Sequence, residues 1–239
     1  MLDTAKRWLQ HTLATLAPDI EAGVPIVGLE PSCVAVFRDE MRELLPDRED
    51  AKRLSRQVFL LSEFLEAQHF RFPRLARQAL VHGHCHHKSV MKFGAEQRAL
   101  EAMGIAADMI DSGCCGMAGS FGFERAHYDV SMKVGEQVLL PAVRRVSTDT
   151  LIVADGFSCR TQIAQATDRR ALHLADLLAM AEREGEAAAA DAYPERRYVP
   201  HYASLRPQTR TVGAAGMLVA AALGFAFWRS RRRRSRCMR

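Results

Sequence analysis

Four of the six cysteines stand where residue type and spacing could do chemistry. Cys85 lies in His82-Gly-His-Cys-His-His87. Cys114 and Cys115 lie side by side in a loop with glycines at 113, 116, 119 and 122, and Cys159 closes Asp155-Gly-Phe-Ser-Cys159. Thiolates are soft donors, so cysteines gathered at one place suit an iron–sulfur cluster or zinc. A glycine-rich loop can turn with φ > 0 and approach a ligand closely. Its N–H groups can also donate to ligand sulfurs, which is one lever on reduction potential. A helix read from about Glu124 would aim its positive N-terminus at the same loop and favour thiolate over thiol.

These residues need elements to position them. Apolar residues at 2, 5, 9, 13 and 16 predict an amphipathic helix. A strand is predicted over 24–29, then a helix after Cys33 and a longer one over 53–65. Further strands are predicted over 79–82, 107–110 and 151–154, with helices over 97–103, 128–138, 161–167 and 172–182. Strands alternating with helices give an α/β fold with a mostly parallel sheet. In such sheets ligands collect beyond the carboxyl ends of the strands, where the four cysteines fall.

The chain also repeats itself. Shifted by 126 positions, the segment 24–33, ending in Ser32-Cys33, falls without a gap on 150–159, ending in Ser158-Cys159. Under this shift Met1 stands opposite His127, so the first unit starts after the point where its own paired-cysteine loop belongs. The expectation is two pseudo-symmetric cysteine-rich units, 1–70 incomplete and 71–183 complete. Either a longer upstream chain or another polypeptide would then complete the first. Residues 184–239 read as a linker, an apolar segment and a basic tail.

Composition narrows the class. The 239 residues are 48% apolar and 26% charged, which is globular. Seven arginines lie in 229–239, and without them the formal charge of +5 becomes −2. The body therefore has no basic face for nucleic acid, and 7% aromatic residues offer few stacking platforms. The N-terminus has early charges and no apolar core of a secretory signal, which points to the cytoplasm. Clustered thiols in a reducing compartment mean metal or redox work more often than disulfides. No glycine fingerprint for a dinucleotide precedes a helix, so neither flavin nor nicotinamide is expected on this chain.

The motifs around Cys85, Cys114-Cys115 and Ser158-Cys159 resemble the duplicated cysteine-rich CCG domain over about residues 1–183. That domain occurs in heterodisulfide reductase subunits and in iron–sulfur subunits of glycolate, lactate and glycerol-3-phosphate dehydrogenases. It also forms the C-terminal part of FAD-linked oxidases. The resemblance implies Cys85, Cys114, Cys115 and Cys159 as ligands of an iron–sulfur cluster, of 4Fe-4S type, or of zinc. His82 and His86 match the family's His-x-x-Cys-His and are expected beside the ligands. Gly156 and Glu30 stand where the family's last motif begins with a further cysteine, and Cys33 is left as a relic ligand. The implied role is electron transfer from a flavin-containing 2-hydroxyacid dehydrogenase domain or subunit, with no activity alone. The alternative is a zinc-binding scaffold.

Plainer readings stand beside these. Histidines on a strand are more often solvated or satisfied in a core than bound to metal, and Asp155 and Glu30 read as turn residues without an acid–base partner. The apolar stretch 212–228 would span only about 25 Å as a helix, short of the ~30 Å bilayer core. Attachment of the arginine-rich tail to an anionic membrane surface at the inner face is the easier expectation.

Overall fold

The computed structural model describes residues 1–186 and 191–199. The first stretch holds α1 (Leu2–Thr15), α2 (Ala17–Ala22), β1 (Ile26–Gly28), α3 (Pro31–Arg38), α4 (Glu40–Leu44), α5 (Glu49–Gln57), β2 (Val58–Leu60) and α6 (Leu61–Ala67). There follow β3 (Gln78–Val81), α7 (Gly94–Ala102), β4 (Ala106–Met109), α8 (Tyr128–Gly135), α9 (Leu139–Arg145), β5 (Leu151–Val153), α10 (Phe157–Ala166) and α11 (Leu174–Glu184).

Among the described residues five short strands form two sheets, one of order β1-β2 and one of order β4-β3-β5. Every pairing is parallel, with Ile26 opposite Val58, Gln78 opposite Ala106, and Ala79 opposite Leu151. This is the expected α/β architecture with parallel strands.

Side chains alternate across a strand, and here both faces are covered. Ala79, Val81, Leu151 and Val153 pack with Leu100, Met103, Leu177 and Met180. Leu80 and Ile152 point the other way, into a second cluster with Leu139, Val143 and Ile163. α7 and α11 therefore cover one face, and α9 and α10 the other. A third cluster joins residues before β3, including Leu13, Val34, Met41, Leu54 and Val58, with Met91 from the segment after it.

The structure corrects three local expectations. The helix over 53–65 is broken by β2, because Val58 and Leu60 bury themselves beside β1. Glu63 then accepts the Leu60 N–H at 2.8 Å and starts α6 afresh. No helix begins at Glu124, since turns closed by Gly122 N–H to Met117 O and His127 N–H to Glu124 O delay α8 to Tyr128. Helix α10 begins at Phe157 instead of 161, so Cys159 lies on its first turn.

α3 and α10 begin at Pro31 and Phe157, the offset of 126 read from the sequence. Among the described residues no helix is long and apolar enough to cross a membrane. The apolar stretch 212–228 and the arginine run 229–239 lie outside the described residues.

Candidate metal centre

The order β4-β3-β5 explains how distant cysteines meet. Cys85 follows β3, the central strand, while the Cys114-Cys115 loop follows β4 on one side and Cys159 follows β5 on the other. All three connections leave from the carboxyl ends of neighbouring parallel strands.

The thiols form a continuous chain of contacts. Cys85 meets Cys114, Cys114 meets Cys115, and Cys115 meets Cys159, each through sulfur hydrogen bonding. Cys115 and Cys159 are buried, while Cys85 and Cys114 are half-buried. The outer pair is thus the one open to solvent or a partner.

The neighbouring thiols shift one another in opposite directions. The Cys115 and Cys85 thiols donate to Cys114 and hold it down as a thiolate, helped by the Gly116 N–H at 3.3 Å from its Sγ. Cys159 is pushed down by the Cys115 thiol and by His82. Cys85 and Cys115 are the donors and are pushed up, each first by Cys114 and then by neighbours or burial. Thiolates packed this closely make a natural seat for a thiophilic cation.

Fixed backbone and side-chain contacts hold the three loops in register. His82 Nδ1 and Ser112 Oγ lie 2.6 Å apart, and Lys88 Nζ donates to Ser112 O at 2.6 Å. Both tie the segment after β3 to the paired-cysteine loop. Gly119 N–H donates to Ser158 Oγ at 3.2 Å and ties that loop to the start of α10. Gly116 has φ +95°, and a Cβ there would collide with the Ser131 carbonyl, 3.0 Å from its carbon. Only glycine lets the loop fold onto α8 in this way.

The histidines divide by position. His82 is buried, with Nε2 lacking a hydrogen-bond partner among the described residues and its ring favouring the Cys159 thiolate. His86 is partly exposed, with Nδ1 3.8 Å from Cys85 Sγ. His84, Cys85 and His86 each bring a donor atom within 4.8 Å of the others. His87 is buried against the Phe93 ring, 4.5 Å between centroids, with both ring nitrogens unpaired among the described residues and its pKa lowered to about 4 by burial.

Cys33 does not join the group. It is exposed on the first turn of α3, and its thiol is pushed up by burial and by Glu30. None of the other cysteines is among the groups that shift it.

Two acidic residues read as turn residues do more. Glu30 accepts from Ser32 N–H and Oγ–H to cap α3, and its other oxygen accepts the Phe157 N–H of α10 at 2.5 Å. Asp155 is buried, accepts the Leu174 N–H at 3.1 Å and lies 3.6 Å from His173 Nε2. Spacing does not single out Glu96, because a glutamate in a helix reads as a surface residue. It lies fully buried against Ser62 and Asp155, its carboxyl pushed well up by burial and then by Asp155. Neither of its oxygens meets a donor in good hydrogen-bonding geometry among the described residues.

The donor set fits the implied metal group. Four cysteine sulfurs are the number that a tetrahedral zinc or a cubane cluster takes, and neighbouring thiols along the set interact.

Comparison with known proteins places this geometry in context. The chain is 30% identical over 170 residues to the C subunit of the anaerobic glycerol-3-phosphate dehydrogenase of Escherichia coli strain K12, covering 66% of this chain and 41% of that protein. It is 28% identical over 155 residues to the D-2-hydroxyglutarate dehydrogenase of Pseudomonas putida, covering 64% of this chain and 15% of that one. The Escherichia coli K12 D-2-hydroxyglutarate dehydrogenase matches at 28% over 146 residues. The chain thus spans less than half the length of these relatives. No family model and no solved structure matches it. The chain is similar in sequence to a dehydrogenase subunit and to part of further dehydrogenases, and it carries a cysteine–histidine group at His84, Cys85 and His86.

Proposed function

We propose that Cys85, Cys114, Cys115 and Cys159 hold one iron–sulfur cluster of 4Fe-4S type, and that the chain passes electrons for a flavin-containing 2-hydroxyacid dehydrogenase. The observation that carries this reading is the unbroken contact chain of four thiols beyond three adjacent parallel strands. The names of the relatives, all dehydrogenases or a dehydrogenase subunit, supply the redox context. When bound, the cluster supplies a one-electron relay.

This chain's residues bind and insulate. Cys115 and Cys159 ligate from the buried side, and Cys85 and Cys114 from the side open to a redox partner. Gly116 N–H donates to the Cys114 sulfur, and Ser112 holds His82 against Cys159. Residues 1–70 and 71–183 act as two related units, of which the second carries the site. The basic tail meets anionic lipid at the inner membrane face.

Anaerobic reconstitution of the full chain with iron and sulfide tests the reading. A broad charge-transfer absorption that bleaches on reduction supports it. Stoichiometric zinc without sulfide would shift the assignment to a zinc scaffold, a reading favoured by the bare four-cysteine set.

A further inference from the structure

At position 156 the start of α10 and the segment after β3 meet beside the sulfur nest. A Cβ on Gly156 would lie inside the van der Waals surface of His84 Cδ2, 3.1 Å from the ring's Cγ and 3.1 Å from Cys159 Sγ. The imidazole of His84 therefore occupies the space beside the Cys159 sulfur, and glycine stands at 156 because of it. His84 is buried, and its ring lies within electrostatic reach of both Cys114 and Cys159.

The ring's protonation pattern follows from one contact. His86 N–H donates to His84 Nδ1 at 3.2 Å. A nitrogen that accepts a hydrogen bond carries no proton, so the neutral ring bears its hydrogen on Nε2. A metal-binding imidazole shows the opposite arrangement, donating from its second nitrogen to an acceptor. Nε2 is bonded to Cδ2, the ring atom that a Gly156 Cβ, itself 3.1 Å from Cys159 Sγ, would meet first, so the ring edge on that side carries an N–H donor and not a lone pair.

We propose that His84 is a positioning and tuning residue that donates its Nε2–H to the sulfurs of the Cys114–Cys159 side and raises the potential of the centre they hold. This rests on the iron–sulfur reading above. An N–H···S bond withdraws electron density from sulfur and stabilises the more negative, reduced state. His84 thus adds a fifth polar contact to a four-cysteine centre without adding a ligand.

The test is an optical and EPR-monitored redox titration of the reconstituted full chain, with iron and sulfide measured per chain. His84→Leu fills the same space without a donor, and it should keep its iron and sulfide while its potential moves negative. His84→Gln keeps an N–H donor and should stay nearer the parent value. Gly156→Ala, which pushes the ring aside without changing it, should move the potential in the same direction as His84→Leu. Loss of iron in both His84 variants would make His84 a ligand and overturn the proposal. An unchanged potential in His84→Leu, with iron retained, would overturn it and leave the iron–sulfur reading intact. A parent protein that takes up no iron overturns both.

Discussion

β1-α3 and β5-α10 are the same device with different outcomes. Each is a short parallel strand followed by a helix whose third residue is the cysteine of a Ser-Cys pair. Cys33 ends exposed, whereas Cys159 is 1% exposed and meets Cys115. The difference lies in the neighbours. β1 pairs with β2, which runs on into α6, while β5 lies beside β3 and β3 beside β4, each ending in a cysteine-bearing segment. A Ser-Cys turn becomes a site only where adjacent strands deliver more thiols to the same edge. Positions 30 and 156 differ accordingly. Glu30 caps its own helix and grips the N-terminus of α10, while Gly156 gives its space to His84.

The sharpest way to break this comparison is to remove one sulfur from each unit. Cys115→Ser should reduce metal affinity by more than the roughly 10–100-fold that outer-shell losses cost. Cys33→Ser should leave affinity unchanged, and competition with a chromophoric chelator measures both.

Stability should follow the same asymmetry. Two arginine–carboxylate pairs differ in burial, Arg169–Glu195 almost fully buried and Arg38–Glu63 about one-fifth exposed. Glu195→Ala strands Arg169 among the Ser147 and Thr150 carbonyls and should cost about 3–5 kcal/mol. Glu63→Ala, which also releases the Leu60 N–H, should cost roughly 1.5–3 kcal/mol. Urea denaturation at constant m-value separates the two.

A buried acid lies where α6, α7 and the end of β5 meet. Ser62 comes from α6, Glu96 from α7 and Asp155 from the end of β5. Because the Glu96 pKa is raised in the fold, its contribution to stability is fully present below the unfolded value near 4.5 and is lost as pH rises towards the folded value. Glu96→Gln should remove that slope, at most about 1.4 kcal/mol per pH unit, and gain on the parent protein as pH rises. Thermal melts between pH 4.5 and 7 would show it, and parallel curves for the two proteins would contradict it. Smallest is Glu30→Ala, which loses the cap of α3 and the bond to Phe157 and should cost about 1 kcal/mol.

Much of this is legible in the sequence. Short apolar runs between helical patterns mark β3, β4 and β5, and their parallel order places Cys85, Cys114, Cys115 and Cys159 at one edge. β2 is not legible, because Val58–Leu60 sits between helical patterns and only pairing with β1 decides it. The role of His84 is hidden for a related reason. Among four histidines in six residues, the family resemblance singles out His82 and His86, and only the missing Cβ of Gly156 shows that the His84 ring lies beside Cys159. Glu96 is invisible because burial of a lone glutamate leaves no mark in helical periodicity.

The most direct measurement is iron, acid-labile sulfide and zinc per chain after anaerobic purification, compared across single cysteine-to-serine variants. The account predicts stoichiometric iron and sulfide in the parent protein, their loss when Cys85, Cys114, Cys115 or Cys159 is replaced, and no change for Cys33→Ser. Zinc in place of iron and sulfide, or an equal loss in Cys33→Ser, would contradict it.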